Sequence, residues 1–153
     1  MAGSTTHEQI VDAADELFRA WLRRQFELLA RFDDRDVGRL LADPGIVRHR
    51  GKIEAVIGNA RRALETVERD GSLAAYFWRY EPDAAALTAP QTASTSPESV
   101  ALSKDLKKRG WKFVGPTTVY AFMQAVGLID DHVADCVVRA EVERARRDFV
   151  RPG

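Results

Sequence analysis

The residues best suited to chemistry lie in one stretch, Lys107-Lys108-Arg109-Gly110-Trp111-Lys112-Phe113-Val114-Gly115-Pro116-Thr117-Thr118. It reads as a tight connection between two helices with a glycine at each end. Gly110 supplies the left-handed conformation that closes the first helix, and Gly115 lets the backbone turn into the second. The amides of Val114 to Thr118, Pro116 excepted, then sit at a helix N-terminus without internal acceptors. Such a nest binds anions, and the natural anion is a phosphate. The charges agree: Lys104, Lys107, Lys108, Arg109 and Lys112 face Asp105 alone between Ser103 and Lys112, a local net charge of +4. Backbone amides with lysines beside them position a protein on DNA without reading its sequence. The same residues also describe a plain helical hairpin with a solvated basic face, because lysine and arginine favour helix C-termini in any case.

The rest of the chain must position that stretch. Its 153 residues suit one compact domain, and 45% hydrophobic with 30% charged residues is ordinary globular composition. The balance of 23 basic against 23 acidic side chains removes bulk positive charge as an argument for nucleic-acid binding, though not a local basic patch. A single cysteine, Cys136, forbids an intrachain disulfide. No apolar run approaches a membrane span, and Met1 to Gln9 lacks the apolar core of a signal peptide, so the cytoplasm is the expected compartment.

Almost every periodic segment reads as helix. Thr6 and Gln9 have capping-box spacing ahead of Ile10, Ala14, Leu17, Trp21 and Leu28. Asp33-Asp34 opens a second helix through Leu40-Leu41, broken at Asp43-Pro44-Gly45. From Lys52 a third carries Ile53, Val56-Ile57, Ala60, Leu64 and Val67 on one face and Arg61, Arg62, Glu65 and Glu68 on the other, ending at Asp70-Gly71. Ser72 caps an aromatic segment, Tyr76-Phe77-Trp78 and Tyr80, that reads as core packing. Residues 83–97 read as an internal loop. Ser96-Pro97 starts a helix through Leu102 and Leu106 to Gly110, another runs from Pro116 to Gly127, and a last one begins near Asp130 or Asp131. No alternating strand and no repeat is found. The expected fold class is all-α.

Three blocks carry a resemblance. They are Asp43-Pro44-Gly45-Ile46-Val47-Arg48-His49-Arg50-Gly51-Lys52-Ile53-Glu54-Ala55; Thr95-Ser96 with Leu102-Ser103-Lys104-Asp105-Leu106-Lys107-Lys108-Arg109-Gly110; and Phe113 through His132. Together they resemble the DNA-3-methyladenine glycosylase I family of the helix-hairpin-helix glycosylase superfamily, over about residues 23–136. The resemblance implies a helix-hairpin-helix glycosylase-like domain over 23–138, after a segment 1–22 that is not family-like and before a charged helix end or tail over 139–153. It implies a base-excision repair enzyme that flips 3-methyladenine from alkylated double-stranded DNA and hydrolyses its N-glycosidic bond. The hairpin residues Lys108, Lys112, Val114, Gly115, Thr117 and Thr118 would then grip the phosphate backbone, with Thr117 and Thr118 either donating to phosphate or bonding within the first helical turn.

The resemblance also assigns a catalytic aspartate and a metal pair. Related glycosylases place a catalytic aspartate two residues before a histidine, and Ile129-Asp130-Asp131-His132 puts Asp130 there; the other reading of Asp130 or Asp131 is an ordinary helix N-cap. His132 and Cys136 match the family's C-terminal zinc ligands, a half-site at i, i+4 on a helix. The family's N-terminal cysteine and histidine, and its aromatic-and-glutamate base pocket, are not found: no cysteine precedes Cys136, and His7 and His49 are the remaining histidines. Zinc thus has two of its four expected ligands, and the other reading is a helix-surface histidine beside a small semi-buried cysteine. Trp21 does not match the pocket tryptophan, and Glu16 and Glu27 read as solvated helix charges. Arg48-His49-Arg50 and Lys52 would touch phosphate or pair with Glu54 and Asp36. The rival to the enzyme is a non-catalytic helix-hairpin-helix DNA-binding remnant without its base pocket; a misassigned start or frameshift is a third reading.

Overall fold

The computed structural model describes residues 24–83 and 94–152. The expected helix start at Thr6, together with His7, Glu16 and Trp21, and most of the expected loop over 83–97 lie outside them. Among the described residues the backbone is helical or irregular, with no strand. The elements are helical residues 24–30 (α1), α2 Asp34–Ala42, α3 Arg50–Asp70, α4 Leu73–Trp78, α5 Pro97–Lys108, α6 Pro116–Ala125 and α7 Arg139–Asp148. The all-α class read from periodicity is the class observed. The chain divides into two compact units, residues 1–64 and 65–153, with the boundary inside α3.

In the first unit, α2 starts as its sequence dictates. The Asp33 carboxylate accepts from the amides of Arg35 and Asp36, and the Asp36 side chain returns a bond to the Asp33 amide, a reciprocal capping box. Val37, Ile53 and Ile57 form a small core with Phe32, Leu40 and Leu41 packed against it. Arg61 lies on the face expected to be polar, and it donates to the carbonyls of Ala30 (2.9 Å) and Phe32 (3.2 Å). These are orphan acceptors at the end of α1, and a guanidinium satisfies them well.

α3 begins two residues before the expected Lys52, because His49 acts as its cap: the His49 Nδ1 accepts from the Lys52 amide at 3.2 Å. The helix buries two stripes, Ile53–Ile57–Ala60 and Ala55–Ala63–Thr66. Val56, expected on the apolar face, falls between them and is 52% exposed. A single-face reading fails wherever a helix is packed on more than one side.

The second unit holds the larger core: Tyr76, Leu102, Leu106, Val119, Tyr120, Met123, Leu128 and Ile129, with Phe77, Trp78, Tyr80, Trp111, Val114 and Phe122 packed against it. The aromatic segment is therefore core, as its spacing suggested. Ser72 Oγ accepts from the Ala75 amide at 2.8 Å to start α4. Ser96 and Ser99 cap α5 reciprocally, with Pro97 in the first turn where its missing N–H costs nothing. α5 packs against α6, and that pair carries the hairpin.

Candidate functional site

The hairpin is built by local backbone chemistry. After α5, the Gly110 amide donates to the Lys107 carbonyl (2.9 Å) and the Trp111 amide to the Leu106 carbonyl (3.0 Å), with Gly110 left-handed at φ 86°. This is a Schellman closure, and Trp111 packs on the same core as Leu106, the apolar contact that usually accompanies it. Ser103, fully buried on α5, donates its hydroxyl to the Val114 carbonyl at 2.6 Å and so ties the far side of the connection back to the helix. Gly115 then caps α6 with no side-chain hydrogen bond, and Pro116 follows at the first helical position. The amides at the start of α6 keep no intrahelical acceptor, and Thr117 and Thr118 are exposed there.

One expectation about this loop is corrected. Gly115 sits at φ −64°, ψ 158°, extended backbone open to any residue, so its glycine is not demanded by conformation. A Cβ built there meets no atom within 4 Å. What glycine does at 115 is leave the space in front of α6 clear. The second left-handed residue of the connection is instead Phe113, at φ 57°. A non-glycine residue held there costs on the order of 1 kcal/mol.

The charge of the hairpin face is distributed differently from its sequence. Lys104, Lys107, Lys108 and Lys112 are exposed, but Arg109 is not available to a ligand. Its Nη1 pairs with Asp70 Oδ2 at 2.7 Å, its Nε with Asp105 Oδ2 at 2.9 Å, and its guanidinium lies 4.1 Å over the Tyr76 ring. Tyr76 and Tyr80 both donate to the same Asp105 oxygen, at 2.8 and 3.1 Å. Arg109 and Asp105 drop out together, so four lysines carry the exposed charge.

Asp70 is the anchor of this network, taking Arg79 at 2.7 Å and Arg69 at 3.2 Å as well. The Arg109 hydrogen bond, against the opposing cost of burial, holds its carboxyl at about 2. Burial, with the bond to Asp105, pushes the Tyr76 hydroxyl upward. The spacing of Asp105 and Arg109 at i, i+4 was a visible signal for half of the network. Nothing in the sequence pointed to Asp70, 39 residues from Arg109.

The segment after α6 departs most from expectation. No helix starts at Asp130 or Asp131; α7 begins at Arg139. Neither carboxylate is available to cap one. Asp130 Oδ1 accepts from the His132 amide two residues on, at 3.2 Å, an Asx-type turn. Asp131 Oδ2 takes the Tyr120 hydroxyl at 3.1 Å and the Gln124 amide at 2.7 Å. Burial first, then Asp131, pushes the Tyr120 hydroxyl up to about 12. Adjacent aspartates thus have separate tasks: Asp131 braces α6, while Asp130 lines an open cavity of about 320 Å³ with Glu81, Arg139, Glu143, Arg146, Arg147 and Arg151.

His132 and Cys136 are likewise not on a helix. A turn closed by the Cys136 amide on the Val133 carbonyl (3.0 Å) brings Cys136 Sγ to 3.3 Å from His132 Nδ1. The two side chains meet, though not by the helical route. Among the described residues no group of three or more histidine, cysteine, aspartate or glutamate side chains could hold a metal ion. The described donors therefore stop at this pair, where a structural zinc takes four ligands.

Arg50 pairs with Glu54 at 3.3 Å and Asp36 with Arg39 at 3.1 Å, both exposed pairs. Glu27 is half-buried, not fully solvated. Beside the hairpin, Phe77, Leu106, Trp111, Val114, Thr118, Val119 and Phe122 line an open apolar cavity of about 210 Å³. Among the described residues no helix is long and apolar enough to cross a membrane.

A profile of methyladenine glycosylases matches residues 3–140. Over 112 residues the chain is 46% identical to DNA-3-methyladenine glycosylase 1 of Escherichia coli strain K12, which covers 71% of this chain and 60% of that protein. It is 38% identical to DNA-3-methyladenine glycosylase of Haemophilus influenzae, with the same coverage. The chain thus spans about 60% of the length of these curated relatives. A crystal structure of 3-methyladenine DNA glycosylase I superposes with a TM-score of 0.64 at 40% identity, covering 80% of this chain and 70% of that one.

Proposed function

Because the chain belongs to the methyladenine glycosylase family, we propose that it acts on alkylated duplex DNA, hydrolysing the N-glycosidic bond of an extruded 3-methyladenine. The observation that carries this reading is the hairpin. An uncapped α6 N-terminus, a Gly115 with open space before it, and four exposed lysines form a surface for a DNA phosphate. Lys108, Lys112 and the amides of Gly115, Thr117 and Thr118 hold the backbone, and Val114 fixes the loop to the core. Nothing in that grip reads a base, so it acts on any sequence.

The chemistry asked of the protein is modest. N3-methylation puts a positive charge on the purine, so the base departs as a neutral molecule when the C1′–N bond breaks. The oxygen of a water molecule forms the new bond to C1′, its proton passes to solvent directly or through Asp130, and an abasic sugar remains. Most of the protein's work is to extrude and hold the nucleotide. Asp130 supplies a carboxylate that stabilises positive charge developing on the sugar or takes the water proton.

Release of 3-methyladenine from alkylated duplex DNA, with binding to unmodified DNA measured across a salt series, tests the reading. Release together with salt-dependent binding is expected. Binding without release selects the non-catalytic DNA-binding protein instead, and absence of both overturns the assignment.

A further inference from the structure

We propose that the arginine-lined cavity beside Asp130 is a second phosphate site, which takes the backbone phosphate adjoining the extruded nucleotide through Arg147. The proposal rests on the glycosylase reading above and adds to it a grip that the hairpin does not supply. The cavity, of about 320 Å³, is walled by Arg139, Arg146, Arg147 and Arg151 against the carboxylates of Glu81, Asp130 and Glu143. Four positive charges meet three negative ones, an excess of one. A DNA phosphate carries one negative charge.

The hydrogen bonds show where that excess lies. Glu81 serves two arginines at once, taking Arg146 at 3.1 Å and Arg151 at 2.8 Å. Glu143 holds Arg139 at 2.8 Å, and the His132 carbonyl holds it at 2.6 Å. Arg146 still keeps its Nη1 buried without a hydrogen-bond partner. Arg147, exposed on α7, has no acidic partner among the described residues. The cluster is therefore short of acceptors, and buried guanidinium donors are rarely left so. Three of its guanidinium groups are already fixed, so an incoming anion need not order them. The planar fork of arginine matches phosphate oxygens two at a time. Asp130 identifies which phosphate. In the reaction above its carboxylate faces C1′ of the extruded nucleotide, and the phosphates flanking that nucleotide lie one sugar away. A cavity shared by Asp130 and an excess arginine is where such a phosphate would enter, and holding it would fix the sugar against the carboxylate.

The full chain and a DNA duplex with a central tetrahydrofuran residue, a stable mimic of the abasic product, provide the test. Arg147→Gln removes the unpaired charge and breaks no ion pair, so its melting temperature should match that of the unsubstituted protein. Its affinity should fall roughly fivefold at low salt, and the slope of log K against log salt should become shallower by about 0.9, the loss of one phosphate contact. Arg147→Lys should regain most of that slope, since the charge returns without the fork. Duplexes in which one phosphate on either side of the tetrahydrofuran is a neutral methylphosphonate locate the contact. On one of the two, Arg147→Gln should bind no more weakly than the unsubstituted protein. An unchanged salt slope overturns the proposal. So does a loss of affinity that persists in full on both neutralised duplexes, because Arg147 would then touch DNA away from the extruded nucleotide. Inorganic phosphate is the other source of the same chemistry. If it raises the melting temperature of the unsubstituted protein and not of Arg147→Gln, while both bind DNA equally, the cavity takes a free anion and the DNA assignment falls. Failure of the unsubstituted protein to bind the duplex defeats the DNA reading itself, whereas binding with any of these contrary results defeats this inference alone.

Discussion

The hairpin from Lys107 to Thr118 and the segment from Ile129 to Val138 carry the polar groups of the proposed reaction, and they are held in different ways. In the hairpin most fixing bonds join residues a few positions apart: Gly110 to Lys107, Trp111 to Leu106, Val119 to Gly115. The Ser103–Val114 bond spans eleven residues in sequence, and Arg109 reaches farther, to Asp70 39 residues away. The later segment has turns and no helix, and its anchors come from elsewhere. Asp131 is held by Tyr120 and Gln124, the His132 carbonyl by Arg139 at 2.6 Å, and α7 is tied through Arg146 and Arg151 to Glu81. A locally closed loop is a rigid grip whose shape survives substitutions elsewhere. A loop held by distant charges depends on each partner.

The largest effect expected from any single change is at Asp130. Asp130→Asn should leave duplex binding unchanged and slow excision by about a hundredfold, the lower end for loss of an acid–base group. Excision at the unsubstituted rate would make the 129–138 segment a brace only, and the contrast with the hairpin would lose its catalytic side.

Next comes Asp70, which reaches the hairpin from the end of α3. Its carboxyl is held at about 2, against an ordinary 3.8. A depressed carboxylate stabilises the fold fully above its ordinary value, and that contribution is lost as pH falls from about 4 towards 2. Asp70→Asn should therefore cost about 2 kcal/mol at neutral pH and flatten the acid limb of the stability profile. Urea unfolding at pH 7 and pH 3 would show it. An equal loss at both pH values would mean that the Arg109 network contributes by shape and not by charge.

The two regions differ in the same way in how far the sequence revealed them. Helix starts at Asp33, Ser72 and Ser96 were legible because the capping oxygen and the amide it serves lie within three residues of each other. The closure at Gly110 was legible for the same reason, and the family resemblance assigned the hairpin to DNA. The start of the final helix is not legible in the sequence because Asp130 and Asp131 carry the right side chains for a cap, while the bonds that divert them end at His132, Tyr120 and Gln124. Tyr120 and Gln124 are named by the fold, and no window around Asp131 contains the reason they prevail. Arg109 reads as surface charge in the sequence because its partner Asp70 lies in a different helix. Phe113 stood in plain view within the motif, but its left-handed backbone belongs to the loop's geometry and to no residue preference.

A smaller effect, confined to binding, is expected at Gly115. Gly115→Val should melt within about 2 °C of the unsubstituted protein, since a Cβ there meets nothing within 4 Å and the backbone is extended. It should bind duplex DNA about tenfold more weakly, because branched carbon would stand where the phosphate approaches the α6 amides. Unchanged binding would place the phosphate elsewhere on the hairpin and leave only the lysines as its ligands.

The smallest effect belongs to Glu81, the distant anchor of α7. Its Oε1 accepts from Arg146 at 3.1 Å and Arg151 at 2.8 Å, and its Oε2 from Arg151 at 3.0 Å. In Glu81→Gln both arginines lose their carboxylate, yet Arg151 keeps the Arg146 and Phe149 carbonyls at 2.8 and 2.9 Å and its place over Trp78. Amide exchange in α7 should quicken by several-fold, with the melting temperature and DNA binding close to unchanged. Excision is the informative measurement, because Glu81 and Asp130 line one cavity. If the segment works by its carboxylate alone, Glu81→Gln excises at nearly the full rate. If excision falls as far as in Asp130→Asn, then a contact 65 residues from Arg146 in sequence sets the position of Asp130, and the catalytic side of the molecule depends on its long-range ion pairs as fully as the hairpin depends on its short-range caps.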